Sequence, residues 1–440
     1  MLKGYLLAFL VFFSMVSKAA SILIPMDETQ KNHLKSYGIA YWTLKRDLAV
    51  DWLLNYRGGS FLVKYAGPVE NECKVRGVSF EVISDARVNA ILTEISAPEA
   101  NMEIVKLEKA AKVAVYSPNN TFTTKDYTDA VITALNYAEI PYDVIYDEAV
   151  LKGELAKYEW VHLHHEDFTG QLGLSMQRMS EDDIRIQREI AKKFGYPHVP
   201  AMKLAVARAI SKFVAGGGYL FAMCSAGETL DVALAADGAD IVDSGFDGDD
   251  VDVNAQSKLD FSKALAFQNF QLALNNYRGF SNINTGNAGR GDPSGDFFTL
   301  FSFSAKWDIV ASMLTQDHEF VIKAFNGQTT AFNKAVLKPS TLVLGETKAA
   351  GAARYIHGEF GNGQWTYYGG HDPESGFGRG GRGGGFGGGG FGGFGSGGGN
   401  FGGGGPGRGT DLSLTPNSPG YRLILNNVLF PSAKKKKQKT

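Results

Sequence analysis

The chain has 440 residues, 44% hydrophobic and 20% charged, which excludes a wholly disordered protein and leaves room for two or three domains with a sizeable core. The formal net charge is −2, so no global field favours nucleic acid. Residues 1–19 read as a secretory signal. Lys3 supplies the basic start, residues 5–16 the apolar stretch, and Ser17-Lys18-Ala19 the small-residue exit. The apolar run is shorter than a bilayer span, which favours cleavage after Ala19 over an uncleaved anchor. The expected protein is exported, periplasmic or extracellular, with no integral membrane span after cleavage.

Residues 20–110 predict a smaller N-terminal α/β unit. Strands are expected at 21–26, 60–65, 78–84 and 102–107, and helices at 28–37 and 85–95, with Asp85 as an N-cap. Cys73 falls in a short helical stretch, 69–77. Residues 111–375 predict the main core. Its order is strand 113–116, helix 126–138, strand 142–146, helix 148–158, strand 160–164, helices 181–194 and 202–214, and a strand ending at Cys224. Such alternation argues for a parallel sheet covered on both faces. Ligands then bind beyond the carboxyl ends of the strands. Residues 237–295 are polar and loop-rich. Strand character returns at 297–305 and 319–325. A hairpin, 354–360 and 364–368, turns at Gly361-Asn362-Gly363 and delivers Gly370-His371-Asp372-Pro373-Glu374. Residues 376–409 are a glycine-rich, low-complexity loop that cannot bury a core. Residues 410–433 hold a last helix, 418–429, and 434–440 are a basic tail.

Gly216-Gly217-Gly218 opens a short apolar strand that ends at Cys224, with Ser225 and Ala226 entering a helix expected at 229–236. A nucleophile on such an elbow is exposed, and the helix N-terminus stabilises negative charge beside it. A cysteine that only packs a sheet gives nearly the same sequence. Cys73 and Cys224 are also free to pair in an oxidising compartment, a choice that sequence spacing does not make.

On these residues the core resembles the class I glutamine amidotransferase-like superfamily, including its trehalose-utilisation-type branch. The resemblance implies a flavodoxin-like parallel sheet, with Cys224 as nucleophile, His371 as its base and Glu374 as the orienting acid. It also implies oxyanion or substrate contacts from Gly170, Ser225 and Ala226. Two positions depart from the pattern: Ala222 and Ala226 stand where the elbow usually has glycine. The acid lies three residues after His371 instead of two, so Asp372 competes with Glu374. Ile24-Pro25-Met26-Asp27-Glu28-Thr29-Gln30, Asp51-Trp52-Leu53-Leu54-Asn55-Tyr56-Arg57-Gly58-Gly59 and Ser418-Pro419-Gly420-Tyr421-Arg422 resemble a secreted bacterial group often labelled asparagine synthetase B. The chain has neither the N-terminal cysteine nor the Ser-Gly-Gly-x-Asp-Ser-type loop that ATP-dependent synthesis needs.

His162-Leu163-His164-His165-Glu166-Asp167 forms a second cluster. On a strand His162 and His164 share a face, and with Glu166 or Asp167 they are candidate divalent-metal ligands that His371 would complete. Otherwise they are strand-end histidines bonded to the next loop, and no cofactor is expected. The acidic run 247–254 fails the EF-hand pattern. Arg379, Arg382 and Arg408 resemble RNA-binding RGG segments, which an exported, neutral chain does not favour. The first expectation is a non-catalytic or degenerate binding protein for an extracytoplasmic small molecule or glycan. A Cys–His amidase or hydrolase is the alternative, and a metal-assisted sugar-modifying protein a weaker one. Composition sets no oligomeric state.

Overall fold

Side chains alternate across a strand, and here that alternation sorts apolar residues into separate layers. The computed structural model describes residues 20–117, 129–171, 181–274, 280–285, 297–316, 320–322, 325, 330–348, 351–374 and 410–433. Residues 1–19, expected to be a signal, the glycine-rich stretch with its three arginines, and the basic tail lie outside them.

Residues 20–110 build a five-stranded antiparallel sheet from β1 (Ala20–Ile24), β2 (Val50–Leu54), β3 (Ser60–Lys64), β4 (Glu81–Ser84) and β5 (Glu103–Leu107), in the order β4-β1-β3-β2-β5. Leu23, Leu53 and Leu62 face helix Asp85–Ser96 through Ile91 and Ile95. Ile22, Trp52 and Phe61 point the other way, into a cluster shared with the main sheet. Helix His33–Leu44 begins later than its sequence suggests, because residues 27–31 close a hydrogen-bonded turn before it. Asp27 accepts the Thr29 N–H, Gln30 bonds the Pro25 and Ser79 carbonyls, and Asn32 caps the Lys35 N–H. Ser84, not Asp85, caps the helix that follows.

The second sheet has nine strands: β6 (Val113–Tyr116), β7 (Asp143–Ile145), β8 (Trp160–Leu163), β9 (Tyr219–Met223), β10 (Phe298–Leu300), β11 (Val321–Ile322), β12 (Leu342–Thr347), β13 (Ala352–Phe360) and β14 (Gly363–Tyr368). Their order is β11-β10-β12-β13-β14-β9-β8-β6-β7. From β14 through β7 every pairing is parallel, and from β11 through β14 every pairing is antiparallel. The chain is thus α/β with a mixed sheet. The hairpin turns where expected, and its second strand joins the parallel half.

Val113, Val115, Trp160, Phe221 and Met223 face the five-stranded sheet across helices His33–Leu44, Ala130–Ala138 and Pro419–Leu429. Ala114, Tyr116, Val161, Leu163, Leu220 and Ala222 face helices Val199–Ala215 and Ala226–Ala235. The N-terminal unit therefore shares its apolar core with the larger sheet. Among the described residues no helix is long and apolar enough to cross a membrane.

The polar stretch after residue 237 gains order from one carboxylate. Buried Asp231 accepts the N–H groups of Leu265, Ala266 and Phe267 at 2.7–3.0 Å. This replaces regular structure with a pinned loop, as backbone donors in a buried segment require.

The seam between the sheets is tight at Gly38. A Cβ there would stand 1.8 Å from the Ala138 carbonyl oxygen, which also accepts a hydrogen bond from Arg76 Nη1 at 3.2 Å. Gly38→Ala should lower stability by about 1–3 kcal/mol by forcing the two helices apart. An unchanged urea midpoint would contradict this account of the seam.

Candidate functional site

The carboxyl ends of β8, β9 and β14 lie side by side, and the chemistry-bearing residues leave the sheet there. Cys224 follows β9 directly. Its φ of +54° is a left-handed conformation that a residue with a Cβ adopts at a cost. The Cys224 N–H donates to the Tyr368 carbonyl at 3.3 Å and the Ala226 N–H to the His164 carbonyl at 3.2 Å. The elbow is thus stitched to the ends of both neighbouring strands, and the expected tight turn is present.

The thiol itself is quiet. Cys224 is buried, and burial pushes its pKa up to about 12, with the Glu166 carboxyl adding to the shift; Ser225 and the Thr330 hydroxyl pull the other way. Cys73 is buried on helix Gly67–Arg76, and both cysteines are free thiols, not partners in a disulfide.

Two of the three groups expected to hold an oxyanion have other work, while Ser225 stays beside the Cys224 thiol. Ala226 spends its N–H on His164. Gly170, with φ +76°, lies so close to helix Val199–Ala215 that a Cβ would meet the Pro200 Cα at 2.5 Å, and its N–H closes a turn onto the Asp167 carbonyl at 3.3 Å. Of the two acids after His371, Asp372 is engaged: it accepts from the Tyr421 hydroxyl at 3.0 Å, from the Thr410 hydroxyl, and from the Glu374 N–H at 3.0 Å. Glu374 is buried beside it.

Histidines fill the space between these strand ends. His162 is fully buried on β8, stacked near Trp160 and Phe221. Its Nδ1 lies 3.1 Å from the Phe221 carbonyl oxygen and its Nε2 3.1 Å from Asp129 Oδ2. The same Asp129 oxygen accepts from His164 Nδ1 at 3.2 Å. Asp129 Oδ1 caps helix Ala130–Ala138 by accepting the Val131 and Ile132 N–H groups at 2.7 and 3.0 Å. Despite desolvation, the His162 and His164 rings hold this carboxyl well below its ordinary range, and the N–H groups of the helix end favour the same anion. His164 Nε2 then meets His371 Nδ1 at 3.0 Å, and the His165 ring stacks on both, with centroids 3.5 Å from His164 and 4.6 Å from His371.

The expected set of His162, His164 and Glu166 is therefore corrected. His162 and His164 both face Asp129, which converges with them where Glu166 was expected. The chain turns after Leu163, which brings Glu166 Oε2 back onto the His164 N–H at 2.6 Å. Burial pushes the Glu166 carboxyl up to about 7. Sequence reasoning missed both Asp129 and His165. Asp129 carried a usable signal, an Asp directly before the apolar run Ala-Val-Ile-Thr-Ala-Leu. The acidic run at 247–254 is not a single loop site either: Asp252 pairs with Lys258, while Asp247 and Asp249 approach Asp240.

Beside the loop after β8 is a cavity of about 250 Å³, walled by Phe168, Leu204, Ala233 and Ile241, with His198, Asp240, Asp247 and Asp249 as polar members. Its size and mostly apolar walls suit a small molecule.

No protein-family model and no curated protein matches the chain. Among solved structures, Cytoplasmic Protein STM1381 from Salmonella typhimurium LT2 is 11% identical, with a TM-score of 0.30, over 59% of this chain and 88% of that one. Cytoplasmic Protein STM3548 from Salmonella typhimurium is 12% identical, TM-score 0.30, over 61% and 91%. A β-galactosidase from Bacillus circulans sp. alkalophilus is 15% identical, TM-score 0.27, over 61% of this chain and 29% of that one. Likenesses at this level carry no argument about activity and place the chain in no family.

Proposed function

We propose that this chain is an exported, glutamine-amidotransferase-like protein that binds an extracytoplasmic small molecule or glycan without using Cys224 as a nucleophile. The order of its parallel strands, β7-β6-β8-β9-β14, supports a flavodoxin-like sheet, because numbering them along the chain gives 2-1-3-4-5. The cavity beside the loop after β8 supports a small ligand. One observation carries the reading: the Cys224 thiol is buried and held near 12. At pH 7 that leaves about one thiolate in 10⁵, and the thiolate is the nucleophile.

The test is alkylation of the folded protein in a Cys73→Ala background. Labelling of Cys224 should run about 10³-fold slower than a free cysteine at pH 7, and His371→Ala should leave the rate unchanged. A second reading, a Cys–His amidase, is favoured by the strained elbow at Cys224, since such strain gathers at working sites. It predicts rapid labelling at pH 7 that slows in His371→Ala, and that result would sink the first reading.

A further inference from the structure

We propose that His164, His165 and His371 form a transition-metal site, with Asp129 as the group that orients its central ligand. Each offers a ring nitrogen, and the three nitrogens lie within 4.8 Å of one another. The closest pair, His164 Nε2 and His371 Nδ1, is 3.0 Å apart. Two imidazole nitrogens on one tetrahedral zinc stand about 3.3 Å apart, from zinc–nitrogen bonds of about 2.0–2.1 Å. Opening this pair by a few tenths of an ångström lets both nitrogens hold one ion, and the stacked His165 ring turns to bring its nitrogen to it.

The tautomer is already set. Asp129 accepts from His164 Nδ1 at 3.2 Å, which leaves Nε2 turned toward His371 Nδ1. A carboxylate behind a ligating histidine is the support that metal-bound imidazoles recurrently use. Asp129 is itself fixed by the Val131 and Ile132 N–H groups and by His162, so the lever does not swing. All three ligands are imidazoles, which suits zinc, cobalt, nickel or copper ions and not calcium or magnesium. His164 and His165 are buried while His371 is half-exposed. Three protein nitrogens with one side open to solvent is the layout of a centre that keeps a position for water or a ligand. This site goes beyond the binding function proposed above and does not depend on the state of Cys224.

The test uses the full chain, stripped with a chelator and titrated with Co(II), then with Zn(II) in competition. One equivalent should bind and give visible absorption of tetrahedral intensity. His371→Ala and His165→Ala should each lose at least 100-fold in affinity, and Asp129→Asn 10- to 100-fold. Glu166→Gln should bind as the parent does. Far-UV dichroism identifies any variant that fails to fold, and His371, being half-exposed, is the variant least exposed to that failure. No saturable Co(II) site in the parent would overturn the proposal. So would equal affinity in His371→Ala, or loss of binding in Glu166→Gln with the histidine variants unaffected.

Discussion

Lys203→Met will cost the fold about 3–5 kcal/mol, the price of stranding a buried carboxylate. Lys203 Nζ, on helix Val199–Ala215, donates to both oxygens of Asp147 at 2.9 and 2.8 Å and to the Tyr116 hydroxyl at 3.2 Å. Tyr116 donates in turn to Asp147 Oδ1 at 2.5 Å. Asp147 is 0% and Lys203 3% exposed. Without the ammonium, Asp147 keeps one hydroxyl and loses its counter-charge, and solvent cannot reach it. The pair need not be a net gain over an apolar replacement, because both charges were desolvated to make it. Lys203→Met with Asp147→Asn should therefore recover much of the loss. Urea unfolding of the two single variants and the double variant at pH 7.5 measures the coupling. A double variant as unstable as the sum of the singles would mean that packing of the long side chain, not charge, was lost. The consequence reaches the site, since Tyr116 stacks on Phe168 of the loop that follows the histidines.

How much of this was legible in the sequence depended on the range of the forces involved. The parallel strands were legible because each is a short apolar run between turn residues, and burial on both faces demands that composition. The hairpin was legible because Gly361-Asn362-Gly363 states its own turn. Strand β2 was not: its Val-Asp-Trp-Leu-Leu is set by pairing with β3 and β5 from either side. The expected strand at 297–305 is shorter, Phe298–Leu300, which pairs with two residues of β11 and two of β12.

The site divides the same way. Cys224 and His371 were readable as strand-end residues, because their positions follow from local elements. What the thiol does was not readable, since its pKa depends on burial by elements far along the chain. Of the expected metal ligands, the fold brings His162 and His164 together at Asp129, and His164 against His371. Asp129, by contrast, enters as the cap of helix Ala130–Ala138, a role hidden within the helix expected at 126–138. Glu166 drops out because one turn of backbone redirects its side chain.

Glu228→Gln should stabilise the protein by about 3–4 kcal/mol at pH 8 and leave it unchanged at pH 4. Glu228 lies in the first turn of helix Ala226–Ala235, buried, with its Oε1 accepting from the Ser281 hydroxyl at 2.7 Å. Burial pushes its carboxyl up to about 7, with Asp167 adding to the rise and Ser281 opposing it. An unfolded glutamate titrates near 4.3. Between that pH and 7 the folded chain holds the extra proton, so stability falls as pH rises through the window and is flat above it. Each unit of displacement is worth about 1.4 kcal/mol, which sets the size of the effect. Glutamine keeps the acceptor and carries no charge to desolvate. Glu166, also held near 7, adds a fall over the same window. Buried His357 runs oppositely, since its imidazole is held down to about 4 and its stability is lost as pH drops from about 6.5 toward that value. Those groups are common to parent and variant, so the difference between the two unfolding profiles isolates Glu228. A difference that stays near zero at pH 8 would mean that the helix N-terminus stabilises the carboxylate as strongly as burial opposes it. The acid four residues beyond Cys224 would then be charged, and the field at the elbow more negative than burial alone allows.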